Sequence, residues 1–240
     1  MPVYLKELRY FFTTPIAYIA IGLYLLVMSL MLWVIPGEWN VLDAGYSNLG
    51  GLFRLSPWLF MLLCPALTMR SIAEEKQLGT WQVLLVQPYG TAKIVLGKFL
   101  ASWSVVLLAQ VPCLLHYAVV YNLAEPVGNV DSGAFFGSFI GLLFLSLAFC
   151  SIGILCSSFT KSQILSFICA FVGCFILFYG FDLLASLFTA GRPVDLLQNL
   201  GFSRHYDSIS RGVIDLRDCV YFLSISVLSL FAAIKMCCKT

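Results

Sequence analysis

The chain has 240 residues, of which 60% are hydrophobic and 11% charged, with a formal net charge of +2. A soluble domain carries about 25% charged residues and needs that polar cover for its surface, so a soluble globule is excluded. A lipid bilayer removes the demand, because its tails solvate apolar side chains directly.

The charges divide the chain into spans. No Asp, Glu, Lys or Arg lies between Arg9 and Glu38, Lys98 and Glu125, Asp131 and Lys161, or Lys161 and Asp182. Shorter uncharged runs separate Arg54 from Arg70 and Asp218 from Lys235. Six transmembrane helices are predicted, at about 16–36, 53–70, 98–121, 133–157, 162–182 and 217–235. The second and sixth are short, and Arg54 and Asp218 can extend them at the interface. The alternating segments of a barrel are absent. The first run is too long for a signal peptide and is followed by Trp33, Pro36 and Trp39 instead of a small-residue cleavage site.

Ahead of the first span, Tyr4, Leu5, Leu8, Phe11 and Phe12 recur at helical spacing, with Lys6, Glu7 and Arg9 elsewhere. This predicts an amphipathic helix at the membrane interface, or else an extension of span one. Thr13-Thr14-Pro15 breaks it and opens the span. The first outer loop, about 37–52, reads as a flexible connection because of Gly37, Gly45, Gly50 and Gly51. The second, about 122–132, is short.

The positive-inside rule sets the orientation. With the N-terminus inside and six spans, all seven lysines fall on the cytoplasmic side and nine of the twelve acids outside. The chain is therefore expected N-in and C-in.

Residues 70–98 form the main cytoplasmic segment. Ser71 with Glu74 fits a capping box, Gly79 closes that short helix, and Thr80 caps a second one carrying Trp81, Leu84 and Leu85 on one face. Pro88-Tyr89-Gly90 is a turn, and Thr91 can cap span three. Apolar residues framed by charge mark a partner site, or else a segment lying on the membrane surface. The candidate docking residues are Arg70, Glu74, Glu75, Lys76, Gly79, Thr80, Trp81, Leu84, Leu85 and Pro88. Glu74 and Glu75 would anchor a partner by charge, and Trp81, Leu84 and Leu85 would fill a groove on it.

Small residues are plentiful in spans four and five: Gly137, Gly141, Ser146, Gly153, Ser157, Ser158 and Gly173. They permit close helix packing, with a pore as the alternative. The segment 182–218 mixes charges with Leu196, Leu197, Leu200, Phe202 and Ile209, which predicts one or two short helices, re-entrant or lying at the outer surface. Its candidate residues are Arg204, His205, Asp207, Arg211 and Asp215. Asp/Arg pairs that stabilise this cap are one reading; substrate exit or docking of an outer partner is the other.

The chemistry of catalysis is missing from the sequence. His116 is far from any acid, and His205 with Asp207 is a lone pair that could titrate near neutrality. Gly97-Lys98 lacks the upstream loop of a phosphate-binding motif, so the chain itself is not expected to hydrolyse ATP. The nine cysteines show no CxxC and no Cys/His metal spacing; they read as small buried hydrophobes. Ionisable residues are nearly absent from the spans, which argues against an ion-coupled carrier and for energy supplied from outside the membrane. A stand-alone channel or carrier and a structural membrane anchor of a motility or secretion assembly are the rival readings.

The residues Arg70, Glu74, Glu75, Lys76, Gly79, Thr80, Trp81, Leu84, Leu85, Pro88, Gly97 and Lys98 resemble the ABC-2 type permease family. The resemblance implies an all-α integral membrane protein forming a single transmembrane domain over 1–240. It also implies that 70–98 holds a coupling helix that docks on a separate ATPase. More narrowly, Lys6-Glu7-Leu8 to Pro15 and the run Phe202 to Asp215 are similar to gliding-motility-associated permeases. That similarity implies an exporter-type complex in a bacterial inner membrane, with a GldA-like ATPase and a GldG-like second membrane subunit or a second permease copy. Permeases of copper-enzyme maturation (NosY-like) share the general pattern. No resident cofactor or metal is implied; ATP would be bound by the partner. Nucleic acid is not an expected partner.

Overall fold

A computed structural model describes residues 2–43, 49–86, 90–187, 192–213 and 215–239. The regular structure among the described residues is all helical, with no strand. A short helix α1 (Pro2–Thr13) leads into α2 (Pro15–Trp33). Thr14 stands between them with extended backbone and Pro15 takes the first helical position, where its missing N–H costs nothing.

Helix α3 (Gly50–Thr68) ends in a turn, followed by the short helices α4 (Ala73–Gln77) and α5 (Trp81–Leu85). Next come α6 (Thr91–Gln110) and α7 (Cys113–Leu123), which form one apolar rod broken at Val111-Pro112. Pro112 lacks the N–H that an uninterrupted helix would use. Helix α8 (Ser132–Phe159) is the longest. Helix α9 (Gln163–Phe175) passes through a π-helical turn, Ile176–Gly180, into α10 (Phe181–Ala185). The chain closes with α11 (Arg192–Leu200), α12 (Phe202–Ile209) and α13 (Leu216–Lys239).

Among the described residues, six helical stretches are long and apolar enough to cross a membrane: Pro15–Trp33, Gly50–Gln77, Thr91–Leu123, Ser132–Phe159, Gln163–Ala185 and Leu216–Cys238. They coincide with the six predicted spans, and the second and third begin earlier than their charges suggested. Arg54 and Lys98 lie inside helices, so the uncharged run understates helix length.

Helix α8 is the hub, packing against α3, α6, α9 and α13. The small residues of α8 make this possible. A Cβ on Gly153 would lie 2.0 Å from Thr68 Oγ1, one on Gly141 2.4 Å from Ile209 Cγ2, and one on Gly137 2.6 Å from the carbonyl of Gly212. Close packing is therefore the use these glycines are put to. Helices α3, α6 and α8 fill the centre, while α2, α9 and α13 leave most of their apolar surface outward. Such surface is the lipid-facing kind in a membrane helix.

Two expectations need correction. The described part of the first loop is folded back: Asn40 Nδ2 donates to the Ile35 carbonyl at 3.0 Å, and the Val41 N–H returns to Leu32 at 3.0 Å. A Cβ on Gly51 would meet the Trp39 carbonyl at 2.4 Å, so that glycine serves a close approach. Residues 44–48 lie outside the described residues. On α1, the apolar stripe packs on the rest of the protein: Val3 and Phe11 are buried, and Tyr4 Oη lies 3.1 Å from Ser104 Oγ of α6. Leu5, assigned to that stripe, is exposed. Glu7 points to the packed side because it has a buried cation to meet.

Candidate functional site

The bundle has two polar ends, and each carries candidate residues. At the lysine-rich end, Lys98 sits in the second turn of α6 with its side chain 1% exposed. Its Nζ donates to Glu7 Oε1 of α1 at 2.7 Å and to Glu75 Oε1 of α4 at 2.8 Å. A buried ammonium is tolerated only when paired and hydrogen-bonded. The three side chains therefore tie α1, α4 and α6 into one unit.

Helix α4 is tied to α8 as well. The expected capping box from Ser71 is not formed; Ser71 Oγ instead lies 3.5 Å from Ser102 Oγ. The cap comes from α8, where Ser157 Oγ accepts from the Ile72 and Ala73 N–H groups at 3.1 and 3.0 Å. The same hydroxyl donates to the Met69 carbonyl at 3.2 Å. Lys76 Nζ donates to the Ser158 carbonyl at 2.6 Å. Gly79 closes α4 at φ +72°, the left-handed conformation expected there. Thr80 Oγ1 donates to the Glu75 carbonyl at 3.3 Å and does not cap α5.

The candidate docking residues thus divide into two sets. Glu75 and Lys76 are engaged internally, and Trp81 and Leu84 are buried in the protein's own core at 3% and 9% exposure. Those two side chains hold the segment down. The apolar surface that α4 and α5 turn outward is Leu78, Val83 and Val86, the last 85% exposed, with Gln82 beside them. Arg70, Glu74 and Glu75 line a cavity of about 220 Å³ shared with Lys6, Glu7 and Tyr10 of α1. Arg70 Nε and Glu75 Oε2 are buried there without a hydrogen-bond partner. Pro88 lies outside the described residues, as does the side chain of Leu85.

At the opposite end, α12 is an inserted helix. Its inner face, Phe202, Ser203, Tyr206 and Ile209, is buried, and Tyr206 Oη donates to the Phe53 carbonyl of α3 at 2.6 Å. Ser138 Oγ of α8 donates to the Ser210 carbonyl at 2.8 Å. His205 was expected to pair with Asp207; it pairs with Asp218 of α13, Nδ1 to Oδ1 at 2.6 Å, and its Nε2 faces the Asn199 carbonyl at 3.0 Å. One helical turn on from His205 lies position 209, so Asp207 projects away from the histidine. Arg204 makes an exposed pair with Asp195 at 3.7 Å. Arg211 Nε donates to the Asp207 carbonyl at 3.1 Å, and Asp215 accepts the Arg217 N–H at 3.0 Å at the start of α13.

Two cavities flank the Ser210-Arg211 turn. One, of about 470 Å³, lies among α3, α8 and the turn; the other, of about 600 Å³, lies among α3, the π-helical turn and α12. Arg54 and Arg211 line both. Burial pushes the Asp207 carboxyl up from its ordinary range, while Arg211 and Arg54 pull it back and Asp182 adds to the rise.

Several of these residues escape sequence reasoning. Ser157 reads as one more small residue in an apolar run, and its partners lie 84 and 85 positions away. Gln110 is buried in α6 with neither its amide oxygen nor its nitrogen bonded. A signal existed for Arg54: it stands four residues before Trp58, on the same face of α3.

No curated protein matches the chain. The family model for the ABC-2 family transporter protein matches residues 49–200, more than half of the chain and the stretch holding α3 to α11. With six helices able to cross a membrane and a helical segment strapped beneath them, the chain belongs to the ABC-2 transporter family: it is a multi-pass membrane permease subunit of an ABC transporter, a class that works with an ABC ATPase.

Proposed function

We propose that the chain is the permease of an exporter-type, gliding-motility-associated complex in a bacterial inner membrane, oriented N-in and C-in. Residues 70–88 would receive the ATPase. The observation that carries this reading is the strapping of α4: Lys98 joins it to α1 and α6, and Ser157 and Ser158 join it to α8. A displacement imposed on α4 then moves α1 and two helices long enough to cross the membrane, α6 and α8, instead of bending a loose loop. Glu74, Leu78, Gln82, Val83 and Val86 form the face offered to the ATPase; Arg70, Glu75, Lys76, Gly79, Thr80, Trp81 and Leu84 position it. The lysine excess at this end supports its cytoplasmic placement. Similarity of the N-terminal stretch and of Phe202 to Asp215 to gliding-motility permeases supports a GldA-like ATPase and a GldG-like second membrane subunit.

Co-purification tests the reading. Val83→Glu with Val86→Glu places two charges on the exposed face without touching a buried contact. Loss of the ATPase from the purified complex, with an unchanged melting temperature of the permease, is expected. Retention of the ATPase at wild-type stoichiometry overturns the docking assignment and favours a structural anchor.

A further inference from the structure

Among the described residues, the end opposite α4 holds Arg54 and Arg211 with no carboxylate partner. Arg54 forms no hydrogen bond or ion pair among the described residues, and Arg211 spends only its Nε, on a backbone carbonyl. The carboxylates nearby have other hydrogen bonds: Asp131 Oδ1 accepts the Ala134 N–H at the start of α8, and Asp182 accepts from the Ser203 hydroxyl. Asp207 lies within electrostatic reach of both arginines and pairs with neither.

The walls combine two cations and two carboxylates with aromatic rings. Arg54, Arg211, Asp182 and Asp207 gather in the larger cavity together with Trp58, Phe178 and Tyr179. Trp58 lies one turn further into the membrane span than Arg54, and its ring stacks on that of Tyr179 at 4.6 Å between centroids. The opposite wall is the π-helical turn, an irregularity that costs helix stability and recurs at functional sites. Two guanidinium groups that pair with no carboxylate among the described residues, set above an aromatic wall, fit a molecule with an anionic head and an apolar body. Planar guanidinium groups bind phosphate oxygens two at a time, which suits a phosphate ester better than a point charge would.

We infer that the paired cavities around Arg54 and Arg211 form a binding site for the phosphate group of an anionic amphiphile, with its apolar part against Trp58 and Tyr179. This goes beyond the docking role of α4, and its test contains no ATPase, so either can fail alone.

The purified full chain, in neutral detergent, is mixed with equimolar lysophosphatidylglycerol and lysophosphatidylcholine, and bound lipid is counted by native mass spectrometry. Wild type is expected to prefer the anionic lipid about tenfold or more. Arg54→Gln with Arg211→Gln removes the preference, Arg54→Lys retains part of it, and Arg204→Gln, at an exposed pair outside both cavities, leaves it intact. Inorganic phosphate is added as a competitor: displacement identifies the free anion as a sufficient ligand, and failure to displace identifies the lipid headgroup, each consistent with the site. Equal binding of the two lipids by wild type overturns the proposal. So does a preference that survives in the double variant. Arg54 has no hydrogen-bond or ion-pair partner among the described residues, so a preference that falls in Arg54→Gln alone with an unchanged melting temperature confirms that the loss is one of binding.

Discussion

At the scale of single residues, Lys98 carries the largest electrostatic commitment in the structure. Its ammonium is buried between Glu7 and Glu75, and burial of that kind is tolerable only while the partners stay. Lys98→Ala leaves two carboxylates close together with no cation between them. A loss of about 3 kcal/mol is expected, the lower end of what breaking a buried pair costs, because both glutamates keep some water contact. Thermal unfolding in detergent reads it. Neutralising all three, with Glu7→Gln, Lys98→Met and Glu75→Gln, should recover much of the loss, since removing a whole buried ion cluster is often neutral.

Asp207 behaves in the opposite sense. The fold raises its carboxyl, so the ionised form costs stability above that raised range and the cost disappears as the group takes up a proton below it. The groups facing it are Arg54 from α3, Tyr179 from the π-helical turn, Asp182 from α10 and Arg211. Protonation removes a negative charge from the cavity wall. Binding of lysophosphatidylglycerol, whose phosphate stays ionised well below neutrality, should therefore strengthen as the pH falls into the raised range of Asp207. Asp207→Asn should bind more tightly than wild type at pH 7 and show a weaker pH response. A steeper pH response in Asp207→Asn contradicts the role given to the carboxyl.

At the scale of elements, the helices were legible and their ties were not. Uncharged runs located all six spans, because charge is the one thing a lipid-crossing stretch cannot carry cheaply. The short helices α4 and α5 were legible from Gly79 and the spacing of Trp81, Leu84 and Leu85. Which way α5 turns was misread: an apolar face next to charge reads as a partner surface, yet Trp81 and Leu84 fill the protein's own core. Periodicity gives a face and is silent on what covers it. The cap from Ser157 was invisible for a related reason, since a hydroxyl in an apolar run looks like packing. Gln110 extends the point. An amide buried with both polar atoms unbonded costs about 1–3 kcal/mol, one position ahead of the break between α6 and α7. Gln110→Met should raise the melting temperature. A rise accompanied by lost ATPase stimulation would mean that the amide is kept for transport; a rise with full activity would make it a tolerated defect.

At the scale of the whole molecule, the two polar ends answer to different forces. The lysine-rich end is mechanically closed, with α1, α4, α6 and α8 joined by ion pairs and caps, whereas the other end is open, with two cavities on either side of one turn. A closed end proposed to receive a push and an open end proposed to receive a ligand suit a machine driven from one side of a membrane. The family establishes the permease and leaves the sidedness to charge: all seven lysines lie at the closed end in the six-span path. Sidedness is testable with an impermeant maleimide applied to intact cells. Glu38→Cys stands in the exposed first loop at the open end, and Lys93→Cys is exposed at the closed end, where the native Cys238 is exposed too. The N-in, C-in orientation requires labelling at position 38 in intact cells and labelling at positions 93 and 238 only after permeabilisation. The reverse pattern would put the proposed docking face of α4 and α5 on the wrong side for an ATP-driven partner. Because the two positions lie at opposite ends of one continuous bundle, a single experiment decides between the two orientations, and with them which end meets the source of energy.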